Sequence, residues 1–554
     1  DSGGIYDRFI NDEGTYYPPQ VAGDYYADAY SAYCFAKKYL DTKDKSYLDA
    51  TLQAINFVID NYNDYKPTRI VWPHKDFKNL PIIETYEMLS NKIDKNKLKY
   101  IKNFIGKMNE NFYESTNIFA LKYNWHSLRK SLGFPESKSR IRYCIERIKA
   151  EQTKHGLIKD NFYIYHNSCD LTYHLYALAF LANTINYGNL DSKDIFLKGA
   201  RFSLNLTSPD GEVSYLGRGA NNMYQMVSAV YIFETAAKLL KNSNLEEAKQ
   251  FKRAAYLVFK NLSKWQNKKG YFPTSLNKYE NLRLAWNHCE TPYNAQSAYF
   301  LIKSNLIANK IKQIYIPLEK SNALIDFLDS NYLAASLKNY FIVLFKGTQK
   351  SFAWSGGKHF NGLPGIALLG SKKFGTFSLI LDEAKDSSIP VTDLPYSKLN
   401  SLYKKCNFSI INKKPLIIKY SKKNLKFNIE KYYICMQEAL IQIVNNNTES
   451  KMIFRNIFSA ERLSWKNKNS NLETDKIQVK PISNNFKIYK TNILNPRGIK
   501  SVVVECVIKP KSNSAIVIYF NKKNNLDGFV KELIKNKINS DLIIGNIKRF
   551  IKLS

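Results

Sequence analysis

The sequence predicts a multidomain α+β chain: an incomplete (α/α) toroid over residues 1–315, then an antiparallel β-sandwich over residues 316–554. Three observations carry this. Residues 24–307 repeat apolar positions at three- and four-residue intervals. Beyond about residue 315, short β-branched and aromatic runs punctuated by Gly, Asn, Lys and Pro replace them. No tight repeat of a regular solenoid type is visible, so helical hairpins closing around a cleft suit the first part better.

Eleven helices follow in order. Asp24–Leu40 spaces Tyr25, Ala29, Ala32, Tyr33 and Ala36 as a buried stripe, and Tyr47–Tyr62 does so with Leu48, Leu52, Ile55 and Ile59. Asn79–Asn91, Lys95–Asn109, Asn117–Leu132 and Glu136–Thr153 come next. Asp170–Asn186, Asp194–Leu206, Asn222–Lys241, Leu245–Trp265 and Thr291–Ile307 complete the set. The change of pattern places a domain boundary near Ile311–Leu318. Strands are expected at Tyr340–Phe345, Phe377–Leu381, Phe408–Ile411, Leu416–Tyr420, Tyr432–Met436 and Leu440–Val444. Others are Ile477–Val479, Phe486–Tyr489, Val502–Ile508 and Ala515–Phe520, and the last thirty residues read as helix or strand pair.

The 554 residues carry 82 basic and 48 acidic side chains, a net of +34. Residues 1–315 hold +12 and residues 316–554 hold +22. An excess of this size fits a polyanionic partner; a chain crowded with Lys, Asn, Ile and Tyr reaches it by composition as well. The seven cysteines form no CxxC pair, which argues against a zinc ribbon or a dense disulfide framework. No apolar run approaches the ~20 residues that span a bilayer, so no integral membrane association is expected. P-loop, HExxH and GxSxG signatures are absent, and no nucleic-acid module is recognisable. The chain begins at Asp, so a leader removed on export is compatible with it. A secreted, periplasmic or cell-surface location is expected.

Polar and aromatic clusters sit at the ends of the expected helices. Tyr123-Asn124-Trp125-His126 places an amide inside an amphipathic helix, where it is costly to bury unpaired. Tyr163–Tyr176 gathers His166, Asn167, His174 and four tyrosines, Tyr173 among them, around a helix start capped by Asp170. Residues 208–225 hold a PDG turn, Tyr215, Arg218 between two glycines, Asn222 and Tyr224. Arg218 is placed to grip a carboxylate with two parallel hydrogen bonds. Residues 285–294 supply Trp286, His288 and Glu290, aromatic and polar groups suited to a sugar; Trp72 is a further aromatic candidate. The spacing of His288, Cys289 and Glu290 matches no closed zinc site. His359 stands in a Gly-rich loop at residues 355–365.

These segments resemble the toroid-plus-sandwich polysaccharide lyases of the heparinase II/III-like and oligoalginate lyase kind. Asn124 and Tyr173-His174, forty-nine residues apart, look like that family's carboxylate-neutralising amide and proton-transferring Tyr-His pair. Arg218 resembles the loop arginine that follows, and His359 the histidine contributed by the sandwich. The usual DG-(S/T) lead-in is missing, and His166-Asn167 stands where an acidic residue or Gln precedes the Tyr-His helix. A second register pairs His166 or His174 with Tyr224, six residues after Arg218; both registers remain open at this point.

The resemblance implies β-elimination on a uronate-containing acidic polysaccharide, without metal or other cofactor. The candidate catalytic residues are then Asn124, Tyr173, His174, Arg218, Tyr224 and His359. Trp72, His126, His166, Asn167, Tyr215, Asn222, Trp286, His288 and Glu290 are the candidate substrate contacts. A toroid glycoside hydrolase would need two flanking carboxyl groups, and no pair is marked by spacing. A non-catalytic glycan-binding surface protein is the alternative from outside the enzymes.

Overall fold

In the computed structural model the described residues are 26–63, 75–110, 114–161, 169–216, 222–268, 270, 272–273, 290–346, 353–354, 357–358, 365–373, 375–379, 406–423 and 428–447. Also described are 449, 452–459, 466–468, 471–474, 477–482, 486–494, 500–520, 526–535, 538 and 540–553, with the short strand pair 6–7 and 20–21. The chain divides into two compact units. The first ends at Ile316 and the second begins at Pro317, with Ala353–Gly357 grouped with the first.

Eleven helices are described in the first unit: α1 (Tyr26–Thr42), α2 (Lys45–Asp60), α3 (Lys75–Leu89), α4 (Lys95–Lys107), α5 (Thr116–Ser131), α6 (Lys138–Ala150), α7 (Leu171–Asn186), α8 (Lys193–Leu206), α9 (Met223–Leu240), α10 (Leu245–Ser263) and α11 (Glu290–Ile307). Their packing is cyclic. Each odd-numbered helix packs on the next, and α11 packs back on α1, so six helices close a ring. The even-numbered helices lie outside: α2 on α1, α4 on α3, α6 on α5, α8 on α7 and α10 on α9.

Burial follows this division. Inner helices α3, α5, α7 and α9 are buried over most of their length, sixteen of eighteen residues in α9, while α1 buries chiefly its first half. Outer α4 buries only Leu98, Ile101 and Ile105, one narrow stripe. α3 begins a turn earlier than its periodicity predicts and runs through Pro81, where Thr85 Oγ1 donates to the Pro81 carbonyl at 2.7 Å.

Two connections repeat one turn. Gly156 N–H donates to the Thr153 carbonyl and Thr153 N–H to the Leu157 carbonyl; Gly211 and Ser208 repeat this with Glu212. Both glycines have positive φ, +107° and +88°. A Cβ would lie 2.2 Å from the Lys198 carbonyl at Gly156, and 2.2 Å from that of Leu257 at Gly211. Only glycine lets these connections lie against α8 and α10.

The second unit holds antiparallel sheets. The strands Ala323–Phe327, Tyr332–Ser336, Tyr340–Phe345, Gly365–Ser371 and Gly375–Leu379 make a meander of five. An eight-stranded sheet is centred on Asn428–Cys435, Ala439–Asn446 and Ser512–Tyr519. A three-stranded sheet orders Met452–Ser459, Lys500–Ile508 and Phe486–Leu494. All three contribute to one core through side chains such as Tyr340, Tyr433, Leu440, Val504 and Ile516. The opposite face of the eight-stranded sheet, with Ile417, Tyr432, Ile441 and Val517, packs with helices α12 (Asp527–Lys535) and α13 (Ser540–Leu553). The chain's last thirty residues are therefore helical in their described part.

Candidate functional site at the N-terminal ends of the ring helices

The inner helices place their first turns around one end of the ring, and that end is rich in phenols. Tyr173 is the third residue of α7, Tyr224 the second of α9 and Tyr293 the fourth of α11. Asp170 caps α7 by accepting from the backbone N–H of Thr172 at 2.8 Å and of Tyr173 at 3.2 Å. Tyr176, one turn below Tyr173, is the hub. It meets Tyr173 edge-on at 6.4 Å and Tyr224 edge-on at 5.5 Å. Tyr224 in turn stacks on Tyr293 at 4.5 Å. The two tyrosines offered by the alternative registers, Tyr173 and Tyr224, thus belong to one cluster.

Beneath them Gln296 of α11 donates through Nε2 to the Tyr176 hydroxyl at 2.5 Å and the Tyr30 hydroxyl of α1 at 3.1 Å. Burial raises Tyr176 well above the ordinary phenol range, and the Gln296 hydrogen bond pulls the other way. Tyr176 is therefore a neutral hydrogen-bonding group at physiological pH. Tyr176 belongs to the Tyr163–Tyr176 cluster marked in the sequence, whereas Gln296 and Tyr30 are not marked there because nothing local distinguishes them from core residues.

Asn124 lies in the third turn of α5. Lys122 and His126 both reach Glu110 on the side of α6, the first at 3.1 Å and the second at 2.8 Å. Two residues of helix turn ~200°, so Asn124 faces the opposite way, into the ring. It is 1 % exposed, and neither Oδ1 nor Nδ2 has a hydrogen-bond partner among the described residues. Asn117, seven residues earlier, shares this face at the level of the first turn; its Oδ1 accepts from Ser115 Oγ. It is a second inner amide that sequence reasoning left unmarked.

Farther along the ring the interior is sealed. Glu84 of α3 accepts from Lys303 Nζ at 2.9 Å, Tyr299 at 2.6 Å and Asn183 Nδ2 at 2.6 Å. Asn183 Oδ1 accepts from Lys303 at 2.6 Å and Tyr231 at 3.1 Å. Burial holds the Lys303 ammonium below its ordinary range, opposed by Glu84. A pairing of this completeness is what allows two charges to be buried at all.

Three expected site residues have structural duties instead. His174 points away from the ring, between the 156–158 turn and α8. Its Nδ1 accepts the Ile158 N–H at 3.0 Å, and Nε2 lies 3.1 Å from Ser203 Oγ and 3.3 Å from the Gly199 carbonyl. Fully buried, it is pushed down to about 3. A neutral ring with both nitrogens engaged is no proton shuttle, so the expected Tyr-His pair is broken by helix geometry: neighbours ~100° apart face different layers.

His126 lies between Glu136, 2.5 Å from Nδ1, and Glu110, 2.8 Å from Nε2. Burial would lower it, but hydrogen bonds to Glu110 and Glu136 outweigh this and raise it. It is an ion-pair member, not a sugar contact. Tyr215 is fully buried and donates to the Leu206 carbonyl at 3.0 Å, which pins its own loop.

Asn222 is the buried residue preceding α9, and Glu290 opens α11. The side chain of Glu290, together with Trp72, His166, Asn167, Arg218, Trp286, His288 and His359, lies outside the described residues.

The His174 arrangement has a measurable consequence. An unfolded histidine titrates near ~6.5, and in the fold it does so at about 3. Between these values the unfolded chain binds the extra proton, so stability rises with pH across that window. We expect stability to fall as pH is lowered from the upper value, and His174→Gln to flatten that slope in urea denaturation at several pH values. An unchanged slope would place the titration elsewhere.

No family model and no curated protein sequence matches this chain. Solved structures do. The Streptomyces coelicolor A3 chondroitin AC lyase in complex with chondroitin sulphate is similar at a TM-score of 0.52 and 9% identity, over 89% of this chain and 74% of that one. A heparinase III is similar at a TM-score of 0.34 and 9% identity, over 95% and 83%. A GH76A α-1,6-mannanase from Salegentibacter sp. HEL1_6 covers 54% of this chain and 95% of its own at a TM-score of 0.36 and 11% identity. What is shared with the chondroitin AC lyase at this identity is the fold.

Proposed function

We propose that the protein is a polysaccharide lyase that cleaves a uronate-containing acidic polymer by metal-independent β-elimination, leaving 4,5-unsaturated ends. The observation that carries this reading is Asn124: a buried amide, facing the ring interior, with both polar atoms unpartnered. The chondroitin AC lyase fold supports the reading at the level of a carbohydrate-active enzyme.

The chemistry starts at the uronate C5–H, which is too weakly acidic to lose its proton unaided. Hydrogen-bond donors on the neighbouring carboxylate stabilise the enolate-like dianion as it forms, and one well-aimed donor contributes ~3–4 kcal/mol. The amides of Asn117 and Asn124 on α5 and the guanidinium of Arg218 are the proposed donors. A phenolate of Tyr173 or Tyr224 takes the C5 proton. The electron pair moves to form the C4–C5 double bond as the C4–O4 bond breaks, and a phenol returns a proton to O4. With His174 assigned to the core, the proposed proton carriers are the phenols, with His166 as a proposed helper. A polymer of this kind lies outside the cell, so secretion or surface display is part of the proposal.

The test is ultraviolet absorbance of the new double bond across chondroitin, heparan, hyaluronan, alginate and pectate polymers. Tyr173→Phe and Tyr224→Phe should each be compared on the polymer that reacts. Loss of the proton carrier should lower kcat by roughly 10²–10⁴, and the other phenol should leave most of the rate. Chain cleavage without absorbance would replace elimination by hydrolysis.

A further inference from the structure

The charge of the first unit is not spread evenly over its outer helices. α4 carries five lysines and no acidic residue, and α6 carries five basic residues and one acidic. Together they hold +9 of the +12 found in residues 1–315. The other outer helices, α2, α8 and α10, carry −1, +2 and +2. Composition alone scatters lysine; it does not load two neighbours and spare three.

The basic side chains form ordered stripes. Lys95, Lys99 and Lys102 recur at i, i+4 and i+7 on α4, a row ~10 Å long. Lys138, Arg142 and Lys149 recur at i, i+4 and i+11 on α6, ~16 Å. All six are exposed, and none is ion-paired among the described residues. Glu110, three residues past the end of α4, accepts from Arg140 Nε of α6 at 2.7 Å, which ties the connection after α4 to α6.

Each helix also exposes one aromatic face, Tyr100 at 47% and Tyr143 at 42%. No exposed Leu, Phe or Trp accompanies them on these helices, so the surface lacks the apolar wedge with which amphipathic helices enter a bilayer.

We propose that the wall formed by α4 and α6 is a second, non-catalytic binding surface for an acidic polysaccharide, which holds the polymer while another stretch of it is cut. Lysine and arginine pair with carboxylates or sulfates, in rows that match the repeating charges of such a polymer. The choice of polysaccharide as the polyanion rests on the lyase reading above.

Affinity electrophoresis through gels containing chondroitin sulfate, alginate or neutral dextran tests it, with thermal melting as the check of folding. The wild type should be retarded by the acidic polymers and not by dextran. K95E/K99E/K102E and K138E/R142E/K149E should each weaken the retention by about tenfold or more. K198E/K241E/K260E makes the same charge change on α8, the end of α9 and α10, and should bind as the wild type does.

Equal weakening in that control would reduce the surface to overall charge and overturn the proposal, as would wild-type retention in both stripe variants. Tighter binding to duplex DNA or to phosphatidylserine vesicles than to every acidic polysaccharide would overturn the assigned partner. Stripe-dependent retention by a protein that forms no unsaturated product on any polymer would sink the lyase reading and leave this surface standing.

Discussion

Asn124→Leu should melt at a higher temperature than the wild type and turn over polymer at least about a hundredfold more slowly. The two halves of this expectation share one cause. The Asn124 amide is buried in the ring with neither atom paired, and a buried unsatisfied polar group costs about 1–3 kcal/mol. Leucine is of similar size and removes that cost. Stabilising replacements at a site that serves the reaction commonly lose activity, the trade-off expected here. An uncharged amide donates to a carboxylate without forming an ion pair that would hold the product. Calorimetry and initial rates on the same preparation test both halves. A higher melting point with unaltered kcat would make Asn124 a plain packing defect and shift the donor role to Asn117 or Arg218.

Lys303→Met should have the largest effect on stability. The Lys303 ammonium is the cation facing the Glu84 carboxylate in the sealed part of the ring, at 2.9 Å. Among the described residues its removal leaves Glu84, fully buried, with Tyr299 and Asn183 as its donors. Breaking a buried pair from one side costs about 3–5 kcal/mol. Urea unfolding should show that loss with little change in the slope. The double variant Glu84→Gln/Lys303→Met removes both charges and should recover most of it. If the single and double variants unfold alike, the pair is not coupled and the network is held by its tyrosines. Glu84 and Lys303 lie well down α3 and α11, away from the end where Tyr173, Tyr224 and Tyr293 stand, so under the proposed function substrate would enter at that end.

Much of the helical part was legible because an amphipathic period is a local property. Of the α2 stripe, Leu48 and Ile55 are buried and Leu52 and Ile59 are partly buried against the core, with Val58 buried beside them. The Asp170 cap of α7 is present. Both signals need only near neighbours to be recognised. Strand Tyr340–Phe345 was legible as an apolar run. Its partners Tyr332–Ser336 and Gly365–Ser371 were not. Every residue of the first is buried, so no alternation marks it, and the second is framed by Gly365 and Gly370, whose missing side chains make room for others. At Gly370 a Cβ would lie 2.2 Å from the Phe341 ring. The helices α12 and α13 shared their apolar content with a strand reading until the sheet face they cover was known.

The candidate site divides in the same way. Clustered histidines, tyrosines and amides marked the first turns of α7 and α9, where Tyr173, Tyr176 and Tyr224 meet, but clustering in sequence does not say which way each residue faces. Tyr173 and His174 are adjacent, yet one joins the phenol cluster and the other is locked behind it against α8. His126, two residues from Asn124, belongs to the Glu110–Glu136 ion pairs on the outer side.

By itself the sequence determined the helical and strand-rich regions, the basic excess, and the local stripes that sort inner helices from outer ones. Tertiary structure alone decided the rest. Closing α11 onto α1 joins residues some 261 positions apart, as in the contact of Cys34 with the Ala295 carbonyl. Gln296 meets Tyr30 and Tyr176 only through that closure. Periodicity is set within a few residues, whereas the partner of a buried amide or carboxylate is set by which distant helix the ring brings against it.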